Sequence, residues 1–455
     1  MMTITSPWDG REVGEVPRGT GADVDKACAI AAQALKHGDL AAHQRANILD
    51  KAAVLVRNRR KQIGSLLVAE AGKPVRDAQL EIDRCIQVLK FSAVEARTLS
   101  GDVVPLDASG PSGNRLAFTI RVPLGVVAAI TPFNFPLNLV AHKVAPAIAA
   151  GCPVVLKPAD RTPLTAMALA ACLIDAGLPT DWLQVITGTG PEVGAPLAAH
   201  PVPAVVSFTG SVGVGRAIAQ QGPHKKVLLE LGSNAPVIVQ GGVDLDRAAD
   251  RIVAGGFAFA GQSCISTQRV LVHETAHDEL VAKLKRRAER LVVGDPADES
   301  TDVGPLISRE EAARVESWIA EAVAEGARLV CGGQRLGTTV TPTILDTPNR
   351  SSKVYGAEVF GPVLTVTTFR TFDEAIELAN DNAFGLHAGV FTNSFDEALT
   401  AVRELGYGGV LINEVPTYRA DHQPYGGHKD SGNTKEGPAY TVRELTDERF
   451  VLFSA

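Results

Sequence analysis

Short apolar runs recur through the middle of this chain, and segments with helical periodicity separate each run from the next. Five of them read as buried strands: residues 126–130, 154–156, 183–186, 204–208 and 227–229. Strands joined by helices of about 10 to 15 residues form βαβ units, in which a mostly parallel sheet is covered on both faces. The pattern therefore predicts an α/β fold with ligands bound at the carboxyl ends of the strands.

A second α/β series begins at Ala235. Its first strand is predicted over 237–239, and a helix over 246–259 runs directly towards Cys264, with further units at Val270, Leu329, Leu364, Val390 and Val410. A chain of 455 residues exceeds the size at which one hydrophobic core keeps growing. Two or more domains are therefore expected.

The first hundred residues have a different pattern. Apolar residues at intervals of three and four predict amphipathic helices over 22–35, 42–71 and 75–99. Residues 116–122 then alternate between apolar and polar, which predicts a strand with one polar face, and 448–453 are again strand-like.

Composition excludes several classes of partner. The net charge of −7 and 45% hydrophobic content argue against a nucleic-acid or anionic-membrane partner. Polar residues and prolines interrupt the most apolar stretch, 124–156, so we expect buried structure there and no membrane span.

The first ten residues show no secretory signal, so the cytoplasm is expected. Six cysteines without paired spacing indicate reduced thiols, and ten unclustered histidines predict no metal site.

Three short motifs break the pattern of their surroundings. Cys264 follows Gly261-Gln262-Ser263, and polar neighbours of this kind are unusual for a core cysteine. The alternative is that Cys264, like most free cysteines, is only a small buried residue. Asn134 lies between prolines and aromatic residues, where it could be an ordinary turn asparagine or a neutral donor to an oxyanion. Glu230 ends a strand in an apolar setting, where it is either salt-bridged or a desolvated base with a raised pKa.

Together with Glu358-Val359-Phe360-Gly361-Pro362, these motifs resemble those of the aldehyde dehydrogenase superfamily, in the right order and over nearly the whole chain. The resemblance implies an aldehyde-dehydrogenase-like α/β fold. A Rossmann-type cofactor domain would span 1–102 and 124–231, and an α/β catalytic domain 232–427. A small β oligomerisation arm would comprise 103–123 and 428–455, which implies a homodimer or homotetramer.

The resemblance also implies catalytic roles. Cys264 would add to an aldehyde to give a thiohemiacetal that expels hydride and leaves a thioester. Asn134 would stabilise the oxyanion together with the backbone N–H of the nucleophile, and Glu230 would activate water for hydrolysis. Lys143 matches a position that the family fills with lysine. Ser233 is a departure, because the family commonly has a second glycine there.

Two glycine-rich stretches, 188–194 and 208–215, look like the family's cofactor loops, and the second ends a strand and opens a helix that can hold a pyrophosphate. Lys157 and Asp160 resemble a Lys-Pro-x-Glu motif that contacts the adenosine ribose. A carboxylate there favours NAD, while adjacent Arg161 leaves NADP possible. The implied cofactor-binding residues are Phe133, Lys157, Asp160, Gly190, Gly194, Gly210, Ser211, Leu231, Glu358 and Phe360.

The substrate is expected to be a small aldehyde. His142, Arg419 and His422 match positions that line the family's substrate tunnel, and their polarity suits a hydroxylated or anionic aldehyde better than a fatty one. A surface salt bridge of Arg419 and Asp421 is the equal alternative. Two rival functions are an aldehyde dehydrogenase that transfers the acyl group to coenzyme A, whose relatives lack the base at the Glu230 position, and a non-catalytic cofactor-binding protein.

Overall fold

The N-terminal part of the molecule is a small hairpin followed by helices. The structure, a computed structural model, describes residues 1–37, 40–221 and 224–454; residues 38, 39, 222 and 223 of the expected cofactor domain and 455 of the expected arm lie outside it. The elements are β1 (Met2–Thr5), β2 (Glu12–Val16), α1 (Gly21–His37), α2 (Ala42–Asn58), α3 (Arg60–Ala71) and α4 (Val75–Thr98). The helix predicted over 42–71 is two helices, because the backbone leaves helical geometry at Arg59 (φ −94°, ψ 13°). The break lets α2 and α3 both pack against α4.

A long two-stranded ribbon follows. Strand β3 (Arg115–Pro123) pairs antiparallel with β20 (Thr446–Ser454) at the other end of the chain, and the register runs from Pro123 opposite Thr446 to Arg115 opposite Ser454. The ribbon contains both segments predicted as strands, 116–122 and 448–453. Large apolar side chains stay exposed on the ribbon: Leu116, Ile120, Phe450, Leu452 and Phe453.

The first sheet has five parallel strands in the order β6-β5-β4-β7-β8. Its elements are β4 (Val127–Ile130), α5 (Asn138–Ala150), β5 (Val154–Lys157), α6 (Pro163–Asp175), β6 (Leu183–Val185), α7 (Ala195–Ala199), β7 (Val205–Thr209), α8 (Val212–Gln221) and β8 (Lys226–Glu230). Helices cover both faces, which is why β4, β5 and β7 are buried along their whole length. Asn134 lies beyond the carboxyl end of β4, and Glu230 is the last residue of β8.

The second sheet has seven strands in the order β11-β14-β15-β10-β9-β17-β18, parallel except for the edge strand β11. From β9 onward the elements are β9 (Ala235–Val239), α9 (Leu245–Phe257), β10 (Thr267–His273), α10 (His277–Ala288), α11 (Arg309–Ala324), β11 (Arg328–Cys331), β12 (Arg335–Leu336), β13 (Thr339–Val340), β14 (Thr343–Asp346), α12 (Lys353–Gly356), β15 (Val363–Phe369), α13 (Phe372–Asn380), β16 (Phe384–Gly385), β17 (His387–Phe391), α14 (Phe395–Glu404), β18 (Gly409–Ile412), β19 (His428–Lys429) and α15 (Pro438–Glu444). Strand β12 pairs with β13, and β16 with β19, in two separate two-stranded sheets. The α/β architecture predicted from the alternating runs is confirmed. The chain passes from one sheet to the other directly after Glu230.

Within the described residues, no helix combines the length and the apolar character that crossing a bilayer needs.

Candidate active site

Cys264 follows a strained turn at the end of α9. Phe259, Ala260 and Gly261 have φ of 47°, 53° and 71°, and a non-glycine residue in this region costs about 1–3 kcal/mol. The surroundings hold the turn in place. The Phe259 N–H donates to the Asp77 carboxylate at 3.0 Å, and a Cβ on Gly261 would come within 2.2 Å of the Gly361 carbonyl oxygen. The result is a cysteine presented at the surface of a cleft.

The Cys264 sulfur has one hydroxyl neighbour. Its Sγ lies 2.8 Å from the Tyr425 hydroxyl oxygen. Burial raises the pKa of the thiol to about 12, while the Tyr425 hydrogen bond and the Arg419 charge act in the opposite direction. Because only a thiolate is an effective nucleophile, the groups that lower this pKa matter for reactivity.

Asn134 is tied to the residues around the nucleophile. Its side-chain Nδ2 donates to the Gln262 backbone carbonyl oxygen at 2.9 Å, and the backbone carbonyl oxygen of Asn134 accepts from Lys73 Nζ at 2.8 Å. This contact uses one of its two amide hydrogens. Asn134 and Cys264 line the same cleft, and an amide hydrogen is a donor of the kind that stabilises an oxyanion.

Glu230 is a buried carboxyl group, 4% exposed, whose two oxygens have no hydrogen-bond partner among the described residues. Glu230 also forms no ion pair within 4 Å with any described residue, which argues against the salt-bridge interpretation. Burial, reinforced by the nearby Glu436 charge, raises its pKa well above the usual range, and Lys143 and Arg419 act against the shift. Desolvation of this kind makes a carboxylate a stronger base.

His142 and Arg419 meet in a buried charged cluster next to Glu230. Arg419 Nη2 lies 2.7 Å from Glu436 Oε2 and 3.3 Å from His142 Nε2, and His142 in turn lies 3.1 Å from Asp421 Oδ1. Burial and the Arg419 charge lower the pKa of His142, while Glu436 and the Asp421 hydrogen bond act in the opposite direction. Arg419 and Asp421 do form salt bridges, with Glu436 and with Arg84, but their side chains are only 5% and 6% exposed, so these pairs are buried and do not lie at the surface as the alternative expected.

The structure does not bring His422 to this cluster. It is exposed, and its ring packs against Phe91 at a centroid distance of 4.7 Å. Conversely, two members of the site were not singled out from the sequence, Tyr425 and Glu436. Tyr425 lies in Pro424-Tyr425-Gly426-Gly427, and its position beside the nucleophile depends on a contact between residues 161 positions apart.

A cleft of about 1170 Å³ joins the nucleophile to the predicted cofactor residues. All ten of them line it together with Asn134 and Cys264. Glu230, His142, Arg419 and His422 are not among its lining residues.

The lining of the cleft fits a dinucleotide. Gly210 and Ser211 precede α8, a helix of ten residues whose N-terminal N–H groups can bind a pyrophosphate. The Glu358 carboxyl group accepts the Ser233 N–H at 2.8 Å, and burial raises its pKa to about 7. Phe133 and Phe360 pack edge to face at 5.8 Å and form an apolar wall beside it.

Opposite charges lie in the cleft where the adenosine ribose is expected. Asp160 and Arg161 are both exposed, and Arg161 Nη2 lies 4.0 Å from Glu310. A carboxylate disfavours a 2′-phosphate and an arginine favours it, so this pair is compatible with NAD and with NADP.

The part of the chain that the structure describes holds no group of three or more histidine, cysteine or acidic side chains placed to bind a metal ion.

Comparison with known proteins gives one family. The model described as "Aldehyde dehydrogenase family" matches residues 1–451. A 3-sulfolactaldehyde dehydrogenase of Priestia megaterium is 45% identical over 453 residues, covering 100% of this chain and 95% of the relative. A lactaldehyde dehydrogenase of Methanococcus maripaludis is 40% identical over 420 residues, covering 91% and 88%.

Solved structures agree with these matches. Glyceraldehyde-3-phosphate dehydrogenase from Methanocaldococcus jannaschii in complex with NADP superposes with a TM-score of 0.96 at 35% identity, covering 100% of this chain and 99% of the other. Aldehyde dehydrogenase 21 from Physcomitrella patens in complex with the product succinate has a TM-score of 0.97 at 36% identity, covering 99% and 94%.

Proposed function

This chain belongs to the aldehyde dehydrogenase family, and from that premise we propose that it oxidises a small polar aldehyde to its carboxylic acid with NAD or NADP, with Cys264 as nucleophile. The observation that carries the proposal is the shared cleft, in which Cys264 and Asn134 lie together with all ten residues expected to hold the dinucleotide.

Carbon–sulfur bond formation comes first. The Cys264 thiolate adds to the aldehyde carbon, and the carbonyl oxygen takes the negative charge. The free amide hydrogen of Asn134 stabilises that oxyanion without changing its own protonation state. The bound dinucleotide supplies the hydride acceptor, and the acyl group stays on Cys264 as a thioester.

Glu230 then acts as the base in hydrolysis of the thioester. Its raised pKa makes it a base that takes a proton from water, and the resulting hydroxide attacks the thioester carbon. The carbon–sulfur bond breaks, and the acid leaves the thiolate behind. A buried carboxylate without a partner supports this path over capture of the acyl group by coenzyme A, and it also favours catalysis over a purely binding role.

The substrate is proposed to be short, with a hydroxyl or anionic group two or three carbons from the carbonyl. His142 Nδ1 and Arg419 Nε are buried and have no hydrogen-bond partner within the described residues. Relatives named for 3-sulfolactaldehyde and lactaldehyde, and a structural neighbour that binds succinate, support this class. The proposal leaves out His422, because its ring lies at the surface against Phe91.

A kinetic comparison tests this function. Lactaldehyde and succinate semialdehyde are compared with propanal and pentanal, each with NAD and with NADP. A buried donor left unpaired costs about 1–3 kcal/mol, so kcat/KM should be about 5- to 150-fold higher for the polar aldehydes. Cys264→Ala should reduce no cofactor, while the matched variant Cys331→Ala, at the edge strand β11, should behave as wild type. A preference for the alkyl aldehydes would contradict the substrate class, and turnover by Cys264→Ala would contradict the mechanism.

We also propose a division of labour along the chain. Residues 1–102 and 124–231 form the cofactor domain, 232–427 the catalytic domain, and 103–123 with 428–455 an arm through which the protein forms a homodimer or homotetramer. The exposed apolar side chains on the β3–β20 ribbon support the last part, because exposed apolar patches commonly mark interfaces.

A further inference from the structure

Tyr425 is the side chain whose oxygen lies 2.8 Å from the nucleophilic sulfur. It is 2% exposed, and its backbone N–H donates to the Glu436 carbonyl oxygen at 2.9 Å, so the ring is held in place. None of the proposed reaction steps involves Tyr425.

The phenol is the donor once the thiol ionises. Burial raises the pKa of Tyr425 well above 10, so its hydroxyl keeps the hydrogen at neutral pH. A thiolate has lone pairs and no hydrogen, so it can only accept. Hydrogen bonds to an ionised partner are roughly twice as strong as those between neutral groups, so this contact stabilises the thiolate more than the thiol.

Arg419 lies on the face of the same ring. Its guanidinium carbon is 3.7 Å from the Tyr425 ring centroid, and the Glu436 carboxylate fixes it at 2.7 Å. A cation over the ring draws on its electron density, which makes the hydroxyl a better donor. The charge of Arg419 also acts directly to lower the pKa of Cys264, against burial and the charges of Glu358 and Glu230, which raise it.

We propose that Tyr425 is a catalytic residue that donates its phenolic hydrogen to the Cys264 thiolate, and that Arg419 strengthens the donation from the face of the ring. The inference rests on the proposed role of Cys264. The O–H bond of Tyr425 stays intact throughout, and the thiol proton leaves to solvent. The hydrogen bond stabilises the thiolate at two steps of the reaction. The first is the ionisation of Cys264 before attack, and the second is its departure as the leaving group of the thioester.

Alkylation of Cys264 measures this contact without an aldehyde. The rate of iodoacetamide labelling at Cys264, followed by peptide mass spectrometry across pH, gives the thiol pKa because the thiolate reacts. In Tyr425→Phe, which removes one oxygen, we expect the pKa to rise by about one unit, equivalent to about tenfold slower labelling at neutral pH. The matched variant Tyr440→Phe, on the partly exposed surface of α15, should label like wild type. An unchanged or lower pKa in folded Tyr425→Phe would overturn the proposal.

An isosteric probe covers the case in which Tyr425→Phe does not fold. Replacing the five tyrosines with 3-fluorotyrosine makes each hydroxyl more acidic, so the Cys264 pKa should fall relative to the unlabelled protein. No change would overturn the proposal. The dehydrogenase assay on the same samples separates the two claims. Wild type that oxidises no aldehyde contradicts the proposed function, whereas active wild type with no pKa shift in either probe contradicts the role of Tyr425 alone.

Discussion

Glu358 has a buried carboxyl group whose pKa lies close to the pH at which enzymes are usually assayed. Burial raises this pKa from about 4.5 to about 7. The stability that its protonated form contributes is fully present below pH 4.5 and is lost as the pH rises through 7. The ionised carboxylate accepts hydrogen bonds more strongly than the protonated acid, and Glu358 is one of the proposed cofactor-binding residues.

Cofactor affinity should therefore depend on pH through Glu358. We expect KM for NAD(P) to fall as the pH rises from 6 to 8 in wild type and to change little in Glu358→Gln. Steady-state kinetics across this range, together with the exposed control Glu377→Gln, measures the effect. A Glu358→Gln profile parallel to that of wild type would show that another group titrates.

Local signals in the sequence were sufficient to locate some residues of the cleft and were misleading for others. Cys264 was predicted because polar residues surround it, and the structure places it in the cleft with all ten expected cofactor residues. His422 was grouped with Arg419 because both match positions that line the family's substrate tunnel, yet the loop turns Asp421 inward to His142 and leaves His422 exposed against Phe91. The orientation of single side chains in an irregular loop depends on tertiary contacts, which no periodicity reports.

Lys73, two residues before α4, contacts two loops of the candidate active site. Lys73 Nζ is fully buried, bonds to the Glu81 carboxylate and the Asn134 carbonyl oxygen, and lies 3.9 Å and 4.4 Å from the ring centroids of Phe135 and Phe259. Phe259 belongs to the strained turn before Cys264. One ammonium group therefore contacts both the Asn134 loop and the nucleophile turn.

Removing that ammonium group should destabilise the whole molecule. Lys73→Met leaves Glu81 charged and buried without its partner, so we expect the free energy of unfolding to fall by about 3–5 kcal/mol. Urea unfolding measures it. The control Lys353→Met removes the partner of Glu321 in an exposed pair and should change stability by about 1 kcal/mol or less. Equal effects of the two substitutions would contradict the structural role of Lys73.

Elements were predictable where burial imposed a pattern. The five strands of the first sheet fall within two residues of the runs seen in sequence, because helices on both faces make those strands continuously apolar. The break at Arg59 was not predicted, because the apolar spacing of α2 continues into α3. A change of helix direction leaves no mark on the apolar spacing when both helices pack on α4.

At the scale of the whole molecule, the β3–β20 ribbon should mediate assembly. Phe450 and Leu452, 54% and 48% exposed, lie two residues apart and so share one face of the ribbon. Phe450→Ser with Leu452→Ser should convert the oligomer to monomer, as measured by light scattering after gel filtration. The control Phe395→Ser with Val402→Ser alters exposed apolar residues on α14 and should leave the mass unchanged. A ribbon variant with the mass of wild type would place the interface elsewhere.

The most direct test of the proposed reaction is the mass of the enzyme after one turnover in Glu230→Gln. An amide cannot take a proton from water, so we expect the thioester to accumulate once cofactor has been reduced. Intact-mass spectrometry should then show one acyl group, located on the peptide that carries Cys264, and steady-state turnover should be lost. An unmodified Cys264 together with normal turnover would contradict the account.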